Sequence, residues 1–407
     1  MPDRPIDPEL AAAVEFTKGL SRRRLLASSG LALGAAALGP TLLSACGSSS
    51  SGSKGDTGPN TTPTKKLVIS NWDAYIDEDA NGDVAGPGTT ISNFEKETGI
   101  KVTYRKDFND NDEYFNKIYL PVLGKGKTIS ADITVPTQWM AARIIGLGWI
   151  EELLLDEIPN HKNLNKAYLN LPWDPGAKHF MPWQAGITGI AYNPKLTGRA
   201  LNSANDLYDP AFKGKVTFLT ELHDAVGLTM FGQGNNPKDA KLDDVNKALA
   251  KIKGAANSGQ ILKFTGNEYL RSLENGDVAV AMAWSGDIAQ LDPKLGIKFI
   301  IPDEGGMQWF DAMTVAKGAP NSVAAAKWMN YVYDPENAAQ ITEFVQYISP
   351  VDGVKEALEK KGGDAAKLAS NPLVFPDAET LSRVVVFGDQ PQAEQIATQK
   401  AFNDITG

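Results

Sequence analysis

Tryptophan and carboxylate recur together at short spacing along this chain. Asn71-Trp72-Asp73-Ala74-Tyr75, Thr137-Gln138-Trp139, Thr220-Glu221-Leu222-His223-Asp224, Trp284-Ser285-Gly286-Asp287 and Trp309-Phe310-Asp311 are the clusters, and none contains Lys or Arg. Ring faces beside carboxylates suit an organic cation. A ring attracts an ammonium and packs its methylenes, contributing about 0.5 to 2 kcal/mol when desolvated. A carboxylate adds a charge-assisted hydrogen bond of roughly 1.5 to 3 kcal/mol. Several such contacts together reach the roughly 8 kcal/mol of a micromolar site after the ordering costs of binding. An anion receptor would instead need Arg, Lys or exposed helix N-termini. For any one tryptophan, plain core packing is the competing account.

What aligns these clusters is the element before each. Leu67-Val68-Ile69-Ser70, Asp132-Ile133-Thr134-Val135-Pro136, Val216 to Leu219 and Val278 to Ala283 are apolar runs that read as buried strands, and Ile100 to Tyr104 is another. Between them, Ile91 to Thr98 has helical spacing and stops at Gly99, Trp139 to Ile145 reads as a helix before apolar Leu147 to Leu155, and Glu268 to Asn275 ends at Gly276. Strands separated by helices imply parallel sheets covered on both faces. In such sheets the ligand sits beyond the carboxyl ends of the strands, which is where the clusters fall. The expected architecture is α/β and two-lobed, with a ligand cleft between the lobes. Lobe 1 is expected over 65–185 plus 308–350 and lobe 2 over 186–307 plus 351–407, the chain crossing near Pro182 to Gly186 and returning near Gly305 to Phe310.

Composition narrows the function. The 407 residues suffice for two or three domains. Lys+Arg 40 against Asp+Glu 49 gives −9, so no general basic field attracts a phosphate backbone and a nucleic-acid partner is not expected. One Cys excludes an intrachain disulfide and a cysteine-rich metal site. His161, His179 and His223 are too few for an imidazole cluster, and neither a metal nor a cofactor is expected.

The N-terminus reads as an export address. Ser21-Arg22-Arg23-Arg24-Leu25-Leu26 leads into an apolar stretch to Leu43 broken by Ser28, Ser29 and Pro40, the pattern of a twin-arginine signal. Leu43-Ser44-Ala45-Cys46 resembles a bacterial lipobox, which implies cleavage after residue 45 and lipidation of Cys46. An uncleaved anchor or an inconsequential Cys is the alternative, against which the short, interrupted run argues. Residues 46–64 are rich in Gly, Ser, Pro, Thr and Lys and read as a flexible tether. The expected location is the outer face of the cytoplasmic membrane, held there by the lipid.

Asn71-Trp72-x-x-Tyr75, Phe94-Glu95-Lys96-Glu97-Thr98-Gly99-Ile100-Lys101-Val102, Val135-Pro136-Thr137, Glu304-Gly305-Gly306 leading to Trp309-x-Asp311, and Phe375-Pro376-Asp377-Ala378-Glu379 stand in this order from Leu67 to Glu379. The ordered set resembles the spermidine/putrescine-binding proteins of polyamine ABC transporters. That resemblance implies a type II periplasmic-binding-protein-like fold, closing on a polyamine and presenting it to membrane permease subunits, as a monomer and without catalysis. It implies one cleft wall from Trp72 and Tyr75, flanked by Thr137 and Trp139. Glu221 and Asp224 take an amino end from the second lobe, Trp284 and Trp309 sandwich the methylenes, Asp311 binds an amine, and Tyr347 lines the pocket. Where the family commonly offers a Gln to a ligand amine, an ungapped reading from Phe375 arrives at Phe387, which bears on spermidine against putrescine.

Plainer accounts compete. Glu221 and Asp224 could be an N-terminal charge pair of the next helix, and Tyr347, between Val345 and Ile348, could be core. Asp77-x-Asp79-x-Asn81-Gly82 matches the first half of a calcium loop, but position twelve is Gly88 where a bidentate Glu is required. Asn109 to Glu113 reads as a solvated loop capping a helix from Tyr114. From a different class, paired acids with cleft tryptophans also occur in glycoside hydrolases; a binding protein for a sugar or another amine would keep the fold and change the ligand.

Overall fold

The computed structural model describes residues 58–407, which form one unit. The expected signal segment, Cys46 and most of the expected tether lie outside the described residues. The Asn60 side chain donates to the Pro320 carbonyl at 2.8 Å, so the end of that tether touches the folded body.

Ten strands share one sheet: β1 (Lys66–Trp72), β2 (Lys101–Phe108), β3 (Ile133–Thr134), β4 (Phe180–Tyr192), β5 (Val216–Leu219), β6 (Ile261–Thr265), β7 (Val280–Trp284), β8 (Lys298–Ile300), β9 (Gly306–Val315) and β10 (Val384–Val385). Their order is β2-β1-β3-β9-β4-β7-β5-β6, with β8 on β4 and β10 on β9. Both ends are parallel, β2-β1-β3 and β7-β5-β6. The middle departs from the all-parallel expectation: β9 runs antiparallel to β3 and β4, and β4 antiparallel to β7. A chain that passes from one parallel set to the other and back must place two oppositely directed strands side by side.

The local signals operate as elementary chemistry requires. α1 (Thr90–Thr98) starts at Thr89, whose side chain accepts from the Ser92 amide, and ends at Gly99 in the left-handed region at φ 66°, where a side chain would be strained. Its Ile91 and Phe94 face the core. α2 (Asn111–Tyr114) begins earlier than expected, because the Asp110 side chain accepts from the Glu113 amide and caps it. α3 (Gln138–Gly146) stops with the expected helix, and the apolar run after it is not helical: Ile150 bridges Ala316 instead.

Two hydrophobic cores result. Leu67, Ile69, Phe94, Trp183 and Trp328 belong to one, with Phe108, Tyr114, Tyr119 and Ile144 in a flanking cluster. Ile190, Val216, Phe218, Leu228 and Ile252 belong to the other. β4 gives Phe180 to Ala185 to the first core and Ile190 to Tyr192 to the second; β9 gives Met307 to the second and Phe310 to Val315 to the first. These two strands therefore pass from one core to the other. One stretch packs elsewhere than expected. Val351, Val354, Leu358 and Ala369, placed with lobe 2 from sequence, lie in the first core, and only later residues such as Phe387 and Phe402 reach the second. The cause is a helical hairpin in which the helix Val354–Lys361 folds back on Pro335–Val345.

Candidate functional site

A cavity opens where the strands of both cores end, and the clusters that follow β1, β3, β5, β7 and part of β9 line it. Trp72, Tyr75, Thr137, Trp139, Trp309, Asp311 and Tyr347 come from the side of the first core, and Glu221, Asp224 and Trp284 from that of the second; all ten residues singled out from sequence meet here. Asp73, Gln138, His223, Asn267, Met307, Gln308 and Phe387 complete much of the wall, with Asp287. Among the described residues no Lys or Arg lines it.

The carboxylates are held by neutral donors. Asp311 accepts from the Tyr75 hydroxyl at 2.6 Å and from the Thr137 hydroxyl at 2.7 Å. Asp224, in the first turn of α4 (Leu222–Gly232), accepts from the Trp284 indole at 2.9 Å. Asp287 accepts from Tyr347 at 2.6 Å, Tyr269 at 2.7 Å and Asn267 at 2.9 Å. Glu221 stands at the N-cap of α4 without capping it; its carboxylate instead accepts from Asn111 at 2.9 Å. The pair is turned into the cavity rather than used on the helix.

Burial without cationic partners governs the charge state, since a desolvated carboxylate favours its neutral form. It pushes Asp311 up to about 7 against the opposing hydrogen bonds from Tyr75 and Thr137, and Asp224 up to about 6 against that from Trp284. Asp287 is raised by burial, and Glu221 is raised well above the carboxylate range by burial and then by the Asp110 charge. Burial lowers His223 to about 4, so its imidazole is neutral near pH 7. Four carboxyl groups are thus buried around one cleft with no cationic side chain among its described lining, and each keeps lone pairs able to accept a hydrogen bond.

Aromatic rings form the rest. Tyr75 meets Tyr347 edge to face with centroids 5.5 Å apart, and Trp309 lies 5.6 Å from Tyr347. Trp284 and Trp309 are 6.2 Å apart at 73°, so they meet edge to face rather than as the parallel walls of the expected sandwich. Their own hydrogen bonds, to Asp224 and to the Thr188 hydroxyl, set that angle. Gly186 on β4 makes room for the indole: a Cβ there would sit 2.5 Å from Trp309 Cζ2. Tyr347 is buried like a core residue, yet its hydroxyl serves the site.

Sequence reasoning misses Asn111 and Asn267 as members of the site, and it names Asp287 within the Trp284-Ser285-Gly286-Asp287 cluster without giving it a role. Asn111 sits in a stretch whose acidic residues read as a solvated loop; it is fully buried, donates to Thr137 at 2.8 Å as well as to Glu221, and accepts from the Thr137 amide. Asp287 comes after β7 as Glu221 and Asp224 come after β5, and that position is the available signal. The Asp77–Gly82 stretch uses its carboxylates internally: Asp79 accepts from the Asn81 and Asp83 amides, and Asp77 from the Thr90 amide and Gln340.

The fold agrees with that of similar proteins. The chain belongs to the family of bacterial extracellular solute-binding proteins, which it matches over residues 89–376. It is 29% identical over 370 residues to the putrescine-binding periplasmic protein SpuD of Pseudomonas aeruginosa, covering 84% of this chain and 92% of that one. It is 28% identical to the putrescine-binding periplasmic protein PotF of Escherichia coli, over 82% of this chain and 90% of that one. The crystal structure of the spermidine/putrescine ABC transporter substrate-binding protein PotD of Streptococcus pneumoniae superposes with a TM-score of 0.66 over 84% of this chain and 98% of that one, at 24% identity, a likeness of fold. The architecture is thus the two-lobed periplasmic-binding-protein fold. Among the described residues no helix is long and apolar enough to cross a membrane.

Proposed function

We propose that this chain captures a polyamine outside the cytoplasmic membrane and delivers it to the permease of an ABC transporter. One observation carries the reading: Glu221, Asp224, Asp287 and Asp311 face a single aromatic-walled cavity whose described lining contains no Lys or Arg. In this reading Asp311, with Tyr75 and Thr137, holds one ammonium, and Asp224 and Glu221 hold nitrogen on the opposite lobe. Trp72, Trp139, Trp284, Trp309 and Tyr347 cover the methylenes. The lobes, 65–185 with 308–369 and 186–307 with the C-terminal residues from Phe387, close by bending β4 and β9. The names of the putrescine-binding relatives support the ligand class.

The chain acts here as a monomeric carrier, without turnover, exported through its twin-arginine segment and anchored by lipid on Cys46. Titration calorimetry with putrescine, spermidine, spermine and agmatine tests the main reading, and micromolar or tighter binding of at least one is expected. Absence of binding by all four, or release of a product from a glycoside, would overturn it. Mass spectrometry of the membrane-extracted protein checks the anchor through a diacylglyceryl mass on Cys46.

A further inference from the structure

Two buried polar atoms on side chains that line the cavity have no partner among the described residues. The Trp139 indole Nε1 and the His223 Nδ1 are both buried without a hydrogen bond, and their rings lie 5.0 Å apart. His223 is also held 4.8 Å from the Phe387 ring, so tilted and edge-to-face ring contacts run Trp139-His223-Phe387 along this side of the wall. Buried donors in folded proteins are paired in the large majority of cases, and an indole N–H can only donate. An ammonium has no lone pair to offer it. The Asp311 end is built differently: its carboxylate already receives two hydroxyls and has only acceptor capacity left for a cation.

From this asymmetry we infer that the ligand carries an uncharged amide carbonyl at the Trp139 end and an ammonium at the Asp311 end, as a mono-N-acylated polyamine does. The inference rests on the polyamine reading and narrows it. The carbonyl oxygen accepts from Trp139 Nε1, and the amide N–H that replaces an ammonium is a neutral donor for Glu221 or His223. Burial keeps the imidazole unprotonated and disfavours the ionised form of Glu221, so this end does not demand a second positive charge. The acyl methyl lies against Phe387, where a polar side chain would have served a charged amine better.

The test is titration of the mature chain with N-acetylputrescine and with putrescine, for the wild type, Trp139→Phe and His223→Phe, each variant first shown to be folded by circular dichroism. The wild type is expected to bind N-acetylputrescine at least as tightly as putrescine. Trp139→Phe should lower the ratio of acetylated to free affinity about tenfold, the loss of one buried hydrogen bond. His223→Phe keeps a ring at that position and should lower that ratio in the same direction. Binding of putrescine with at least tenfold weaker binding of its acetylated form would overturn this inference and leave the polyamine reading standing, as would equal losses for both ligands in both variants. Binding of neither amine, nor of spermidine, would remove the polyamine reading itself.

Discussion

Tyr347 and Asp287 are joined across the cleft by a 2.6 Å hydrogen bond between residues 60 apart in sequence. Tyr347 packs in the first core, and Asp287 lies on a short helix whose Ile288 packs in the second. The bond therefore ties the two lobes at the floor of the site. Tyr347→Phe removes the donor while Asp287 keeps Tyr269 and Asn267. Urea denaturation should show a loss of about 1 kcal/mol, the net value of one such bond, and small-angle scattering of the unliganded protein should show a larger radius of gyration. An unchanged radius would mean that this contact does not hold the lobes together.

Asp311→Asn removes a negative charge but leaves an amide able to engage Tyr75 and Thr137. Polyamine binding should weaken by about 2 kcal/mol, as expected for a desolvated charge pair losing one member. The melting temperature of the free protein should stay nearly constant, because the native carboxyl is already disfavoured in its ionised form at this position. Calorimetry and a thermal melt on the same preparation measure both; collapse of the fold would move Asp311 to a structural role.

The raised carboxyls set a pH dependence of defined sign. Asp311 near 7 and Asp224 near 6 bind protons more tightly in the folded than in the unfolded chain. Their contribution to the stability of the free protein is complete below about pH 4 and is lost as pH rises through 6 to 7. A cationic ligand selects the ionised forms, so affinity for putrescine should rise from about pH 5.5 to about pH 8. At about pH 6 binding should release protons, read as a dependence of the calorimetric enthalpy on the ionisation enthalpy of the buffer. Affinity flat across this range would contradict the assignment of these acids to the ligand.

Gly186→Ala forces a methyl against Trp309 at a distance no real contact tolerates. The indole must shift, and it cannot do so without straining its bond to Thr188. We expect destabilisation of about 1 to 3 kcal/mol, the cost of overpacking, together with weaker binding and a changed tryptophan emission. Wild-type binding in this variant would show that the position of Trp309 is immaterial.

Much of the site is legible in the sequence because the fold repeats one rule. Strands rich in Leu, Ile and Val announce themselves, and residues at or just past the ends of β1, β3, β5 and β7 line the cleft, so Trp72, Trp139, Asp224 and Trp284 can be gathered from a linear string, while Asp311, inside β9, is marked only by its Trp309-Phe310-Asp311 cluster. Asn111 cannot, since neighbouring Asp110, Asp112 and Glu113 mark the stretch as solvated, and only the packing against Thr137 and Glu221 buries it. The antiparallel middle of the sheet is hidden for a similar reason. Local periodicity reports that a residue lies in a strand, while direction relative to a neighbour more than a hundred residues away, as for Gln184 and Asp311, is settled by tertiary packing. The hairpin that returns Val354 and Leu358 to the first core is likewise a matter of helix on helix, with no mark in the segment itself.

The pairing of β4 with β9 also orders events in time. Phe310, Ala312 and Met313 fill the core begun by Leu67 and Ile69, so the half of the molecule translated first stays unfinished until the chain past residue 315 has left the ribosome. The intervening half, from Ile190 to Met307, carries its own parallel strands and covering helices, but its core also takes in Phe387 and Phe402, which are made later still. Each body is therefore completed only by chain that emerges after the other has begun, and neither can mature alone during synthesis.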